Sequence, residues 1–372
     1  MRVAIVQDWL TEIGGAEKVF SAFLEIFPEA DIYTLAAHAK VIAELKIEKS
    51  RIYETFIVKL PFGRSRYRNY LPLFTKAIES FDLSEYDLIL SSSSSVAKGI
   101  LKNSNQLHIC YCHSPVRYAW DLYHQYLREA NLQGFGPKSF LVRHILHKLR
   151  IWDVISSNRV DHFIANSNYI KRRIKNVYRR ESDVIYPPVD VEKFELRERK
   201  KEFYFTASRM VPYKRIDLIV KAFNQLPDKK LKVAGTGPDF QKVKKLAGNN
   251  IELLGFVSDE EMHSLLADAK AFVFAADEDF GIIPVEAQAC GTPVVALGKG
   301  GTKETVIDGV TGIHFQDQTV ESLTAAIEKF ERSEFDAIKI RKNAEKFSKD
   351  RFMKDLEEYI DIKYKEFQNE MT

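Results

Sequence analysis

The run Glu278-Asp279-Phe280-Gly281-Ile282-Ile283-Pro284-Val285-Glu286 sets two carboxylates eight positions apart across an aromatic–glycine pair and a proline. Phe280-Gly281 bends the chain, and Pro284 fits the first turn of a helix, where its missing N–H leaves nothing unbonded. The amides of Gly281, Ile282 and Ile283 would then point outward at a helix start, an arrangement suited to phosphate. Glu278 lies before the turn and Glu286 one helical turn inside it. Carboxylates accept hydrogen bonds from hydroxyls, so the pair could hold two polyols on either side of a phosphate. Glutamate is usually a solvated surface charge, but Phe-Gly and Pro inside this spacing argue against that here. Asp277-Glu278-Asp279 also spells an acid–x–acid pattern able to hold a metal. A three-letter acidic match is common by chance and the turn explains it better, so no metal is expected.

Other residues of chemical interest follow apolar, strand-like runs. Arg209 and Lys214 are five apart around Pro212. Two fixed cations there suit a diphosphate, although basic residues are common on solvated loops. His113 follows the run His108–Cys112 and precedes Ser-Pro and an aromatic-rich turn; it reads equally as a site residue or a structural one. Gly14 and Gly15 precede a helix, where a bare backbone and helix amides favour an anion; alone they read as a tight turn. They do not complete GxGxxG, so a dinucleotide site is poorly supported. Gly235-Thr236-Gly237 leaves room for a ligand or is a plain turn.

These residues need strands to carry them. Val3–Val6, Asp31–Thr34, Leu88–Leu90, His108–Tyr111, His162–Ala165 and Val184–Ile185 read as strands separated by helical stretches. The rhythm restarts with Tyr204–Ala207, Leu231–Ala234, Ile251–Leu254, Ala271–Ala275 and Val294–Leu297. Such alternation argues for parallel sheets covered by helices. Two series in 372 residues predict two domains, 1–188 and 189–349, joined at Pro187–Pro188, where neither a sheet nor a helix continues. Ser91–Ser95 reads as a strand-to-helix turn. Ser348 to Phe367 reads as a helix, and the segment 350–372 is expected to pack back on the first domain. In an α/β chain of this kind, ligands bind beyond the carboxyl ends of the strands.

The 45% hydrophobic and 29% charged composition is that of a globular protein. A net charge of +3 is too small to indicate nucleic acid, and no nucleic-acid motif accompanies it. Cys110, Cys112 and Cys290 form neither a zinc spacing nor a disulfide framework, so a reducing, cytoplasmic compartment is expected. Cys110 and Cys112 are expected on opposite faces of their strand. The amino terminus is interrupted by Asp8 too soon for a signal peptide, and no apolar run approaches the roughly 20 residues that span a bilayer.

The segment EDFGIIPVEAQACGTPVVA resembles the signature of the family 4 glycosyltransferases. SRMVPYKRID resembles the family's Arg/Lys loop, the Gly-Gly pair matches, and YPPVDVEKF is similar to its domain junction. VQDWLTEIGGAEKV, CHSPVRYAWDLYHQYL and RVDHFIANSNYIKRRI resemble bacterial O-antigen and exopolysaccharide enzymes, several of them mannosyltransferases. The resemblance covers essentially the whole chain. It implies an α/β, GT-B fold, two Rossmann-like domains facing each other across a donor/acceptor cleft, and retaining transfer from a nucleotide-sugar.

By that resemblance, Arg209 and Lys214 neutralise the donor diphosphate in place of a metal, and the amides of Gly14 and Gly15 face the phosphates. Glu278 binds hydroxyls of the transferred sugar, Phe280 and Gly281 present amides to it, and Ile282 and Ile283 lie at the phosphate end. Glu286 holds the ribose, His113 sits near the anomeric carbon, and the Val257 backbone reads the base. Asp259 could accept from guanine N1–H and N2–H₂, although an acid is also favoured at a helix start. With the subgroup likeness this favours GDP-mannose over a UDP-sugar. No cofactor is implied.

The expected acceptor is a glycan or a polyprenyl-diphosphate-linked saccharide, its specificity set by loops such as 114–137. Residues 59–76 carry five basic residues and 171–180 carry six, neither with an acid; both suit an anionic membrane surface, and a peripheral enzyme is expected. Two rivals are a GT-B nucleotide-sugar epimerase, which needs an acid and a base flanking the sugar, and a non-catalytic assembly subunit.

Overall fold

Strands buried on both faces by helices must be apolar along their whole length rather than alternating. Val3–Gln7, for example, is buried at every position. The computed structural model describes residues 1–134 and 136–371. Phe135, in the 114–137 loop, and Thr372, the end of the expected C-terminal segment, lie outside the described residues. The chain divides into two compact units, Met1–Pro187 with the residues from Met353 onward, and Pro188–Phe352.

Unit one holds β1 (Val3–Gln7), β2 (Asp31–Thr34), β3 (Ile52–Glu54), β4 (Leu88–Ser93), β5 (Leu107–Cys112), β6 (His162–Ala165) and β7 (Asp183–Val184). They form one parallel sheet in the order β3-β2-β1-β4-β5-β6-β7. Unit two holds β8 (Tyr204–Ala207), β9 (Leu231–Ala234), β10 (Ile251–Gly255), β11 (Ala271–Phe274), β12 (Val294–Leu297) and β13 (Gly312–Phe315). Its order is β10-β9-β8-β11-β12-β13, again parallel. Each order reverses direction once, between β1 and β4 and between β8 and β11. A doubly wound sheet opens its ligand crevice at that reversal.

Both halves are therefore Rossmann-like. The short edge strands β3 and β13 were not among the expected elements. Cys110 and Cys112 pack in one core cluster with Phe163, Ile170 and Ile174. This overturns the expectation of opposite faces, because residues two apart on a strand share a side. The helix Lys349–Met371 begins in unit two and continues in unit one, burying Phe352, Leu356 and Ile360 at four-residue spacing. Among the described residues no helix is long and apolar enough to cross a membrane.

Candidate functional site

In unit two the reversal point brings together the loops after β8 and β11. After β8, Pro212–Lys214 makes a 3-10 turn, and Arg215 at φ 56° leads into the helix Ile216–Asn224. Lys214 Nζ lies 2.5 Å from Glu278 Oε1, with 16% and 18% of the two side chains exposed. The Lys214 ammonium also sits 5.6 Å from the Tyr213 ring centre and 5.9 Å from that of Phe274. The loop itself is braced by Gly235-Thr236-Gly237: the Met210 amide donates to Thr236 O at 2.8 Å, and the Asp239 amide to Met210 O at 3.0 Å. The glycine turn after β9 thus packs on protein backbone.

After β11 the chain bends at Gly281, whose φ of 83° and ψ of 79° a side chain would resist. The helix Ile282–Ala289 starts immediately, with Pro284 in its first turn. Phe280 is buried, its ring 5.5 Å from that of Phe347. Gln288, fully buried, fixes this helix by donating to Pro284 O and Thr305 O at 3.1 and 2.9 Å. Glu286 is half-buried one turn inside.

Sequence reasoning passed over Gly300-Gly301, after β12. The Gly301 amide donates to Glu278 O at 2.7 Å. A Cβ on Gly301 would stand 2.3 Å from Phe280 Cα, and one on Gly300 2.3 Å from Glu278 O. The Glu278–Phe280 backbone is thus held against two residues that must be glycine. Their one sequence signal was their place directly after a strand.

Arg209 is exposed on the β8 loop. Val257 is buried beside Phe256, which is 84% exposed. Asp259 is the exposed first residue of the helix Asp259–Asp268, followed by Glu260 and Glu261. Three acids in a first turn satisfy a helix dipole, so a base-reading role for Asp259 is not required to account for it. Among the described residues no group of three or more His, Cys, Asp or Glu is arranged to hold a metal ion.

In unit one, the equivalent reversal point is built on Asp8. Its buried carboxylate accepts the amides of Ser94, Ser95, Val96 and Ala97 at 2.6–2.8 Å, so the turn after β4 wraps around one side chain; Ser91–Ser93, expected in that turn, are instead the end of β4. Gly14 caps the helix Gly15–Ile26, and its amide donates to Glu17 Oε2 at 2.9 Å. That N–H is engaged within the turn, while Gly15 opens the helix. Gln7 donates to the other Glu17 oxygen at 3.4 Å. Burial pushes the Glu17 carboxyl up to about 7. His113 sits just past β5, half-buried, with Nε2 2.8 Å from Ser92 Oγ. Burial lowers its pKa to about 4, which keeps the ring neutral at physiological pH.

The two basic segments differ. In 59–76, Phe62 is 71% exposed with Arg66 stacked on its ring. In 171–180, the apolar side is spent in the core through Ile174 and Tyr178. There Arg173 is buried and paired with Asp121, and Arg180 donates to the carbonyls of Ser157, Val160 and Asp161.

Two doubly wound parallel sheets of this kind define the GT-B class, and solved structures share the fold. HepE of Anabaena, solved with UDP and glucose, superposes with a TM-score of 0.68 at 20% identity, covering 97% of this chain and 99% of that one. Sucrose-phosphate synthase of Thermosynechococcus elongatus gives 0.72 at 16% identity, covering 98% and 99%. Residues 13–193 match the model described as Glycosyltransferase Family 4, and residues 189–349 the one described as Glycosyl transferases group 1; the chain belongs to the family 4 glycosyltransferases.

A GDP-mannose-dependent alpha-(1-6)-phosphatidylinositol monomannoside mannosyltransferase of Mycolicibacterium smegmatis is 31% identical over 170 residues, 38% of this chain and 44% of that protein. An uncharacterized glycosyltransferase of Methanocaldococcus jannaschii is 30% identical over 194 residues, 51% and 55%. The matched stretch spans about half the length of these curated relatives.

Proposed function

We propose that the protein is a retaining, metal-independent hexosyltransferase that moves mannose from GDP-mannose to a glycan or polyprenyl-diphosphate-linked acceptor. The observation that carries the proposal is the Lys214–Glu278 pair, 2.5 Å apart at a helix start on the sheet reversal. The two side chains neutralise each other. A nucleotide-sugar would part them: its diphosphate takes Lys214 and Arg209, and a sugar hydroxyl takes Glu278. Glu286, one turn inside the helix, accepts the ribose hydroxyls. The amides of Gly281, Ile282 and Ile283 add the helix-start field, and the backbone at Val257 meets the base.

The bond from the anomeric carbon to the phosphate oxygen breaks, and its electron pair goes to the diphosphate. Arg209, Lys214 and the helix start stabilise that developing charge, the effect that dominates most such reactions. The acceptor hydroxyl attacks from the same face and passes its proton to the departing phosphate oxygen, so configuration is retained. His113, Gly14 and Gly15 belong to the other unit and enter this reading through the family resemblance alone.

GDP-mannose is favoured by the named mannosyltransferase relatives. The solved HepE complexes with UDP and UDP-glucose favour a UDP-sugar as the second reading. The proposed setting is the inner face of the cytoplasmic membrane, where a lipid-linked acceptor would be met. The test is a panel of GDP- and UDP-sugars with lipid-linked acceptor extract, read as free nucleotide and as product anomer, with and without chelator. Transfer from GDP-mannose in chelator supports the proposal; tighter binding of UDP than GDP overturns the donor, and dependence on divalent metal overturns the mechanism.

A further inference from the structure

The helix Pro137–Ser157 wears its apolar residues on both sides. Its inner face, with Leu146 and Leu149, packs in the core of unit one. At about 100° per residue, Phe140, Leu141, His144, Lys148, Ile151 and Ile155 fall within about 100° on the opposite side, and all six are exposed. Phe140 is 72% exposed, Leu141 57%, Ile151 45% and Ile155 54%. Single exposed apolar residues are ordinary, but four on one stripe mark an interaction surface. The charge on this helix is one-sided. Its sole acid, Asp153, is fully buried and paired with Lys98, while Lys138 and Lys148 are exposed.

We propose that this stripe is a docking face for an anionic lipid bilayer. The helix lies in the headgroup plane with Phe140, Leu141, Ile151 and Ile155 turned toward the acyl chains. Lys148 and Lys138 meet the anionic headgroups, the pattern by which interfacial helices bind. Charge decides against a second copy of this chain as the occupant, because a stripe without an acid offers another such stripe no counter-charge. The stripe from Phe140 to Ile155 is roughly 22 Å long, which suits a surface rather than a pocket. It replaces 171–180, whose apolar side is already buried, as the helical contact. The inference rests on the reading that the acceptor is lipid-linked.

Full-length protein is sedimented with phosphatidylcholine vesicles with and without phosphatidylglycerol, at low salt. Wild type should partition onto the anionic vesicles, and Ile151→Ser with Ile155→Ser should lower the partition coefficient about thirtyfold while the melting temperature holds. Unchanged binding in a fourfold Phe140→Ser, Leu141→Ser, Ile151→Ser, Ile155→Ser variant overturns the proposal, as does equal wild-type binding to neutral vesicles. A concentration-dependent dimer in analytical ultracentrifugation that the same substitutions abolish also overturns it. GDP and UDP titrations without vesicles report on the donor reading alone, so either proposal can fail without the other.

Discussion

Replacing Glu17 by glutamine should make the protein more stable at alkaline pH and leave it unchanged in acid. Glu17 is 7% exposed, and burial raises its pKa from 4.5 to about 7 despite the Gly14 amide it accepts. The folded protein therefore holds this proton more tightly than the unfolded chain. The stability that the proton confers is complete below pH 4.5 and is lost as pH rises through 7. From 4.5 to about 7, at 1.36 kcal/mol per unit, the loss is about 3 kcal/mol.

A glutamine keeps an acceptor oxygen for the Gly14 amide and never ionises. Wild type and Glu17→Gln should coincide near pH 4.5. By pH 8 the variant should melt about 6–12 °C higher in the transition that includes unit one. Calorimetry of both proteins across that range gives the answer, and taking their difference cancels every other group that titrates. A gap of constant size from acid to alkali would refute the reasoning, since it would leave Glu17 without a proton of its own.

Arg209→Ala with Lys214→Ala should lower transfer by at least about a hundredfold, measured as free nucleotide released, while Asp277→Ala should change it little. Gly301→Ala forces a Cβ to 2.3 Å from Phe280 Cα; nucleotide-induced thermal stabilisation should disappear and the protein should lose about 1–3 kcal/mol in denaturant unfolding. Lys98→Met strands the buried Asp153 charge and should cost about 3–5 kcal/mol by the same measurement. Adding Asp153→Asn removes the stranded charge and keeps an acceptor for Trp120 and Tyr178, so it should restore part of the loss.

The strands legible in the sequence were those whose apolar runs are buried on both sides, such as Tyr204–Ala207 and Val294–Leu297, which the structure reproduces to the residue. β3 has no fully buried residue and β13 contains a glycine and a histidine, so neither carries an apolar run. The turn at Gly281 was legible because Phe-Gly and Pro are local signals. Gly300-Gly301 was not, because the backbone it must accommodate lies 20 or more residues earlier in the chain. Asp8, Glu17 and the outer stripe of Pro137–Ser157 were hidden for a related reason: each is defined by what surrounds it, amides for the first two and solvent for the third. The basic count in 171–180 was read as surface charge, and the structure spends Arg173 and Arg180 internally.

The chain passes between its two units twice, near Pro187 and near Phe352. Next to those crossings, Val189 and Ser348 are joined in a β-bridge, the Val189 amide donating to Phe347 O at 2.9 Å and the Lys349 amide to Val189 O at 3.1 Å. Unit two is thus one continuous insert whose two ends are zipped together, while unit one is assembled from both flanks of the gene. Inserts of that form tolerate transplantation. A single pair of cuts beside the bridge would release the half that carries Lys214 and Glu278 as one reading frame, and another family member's insert could be spliced into the gap it leaves.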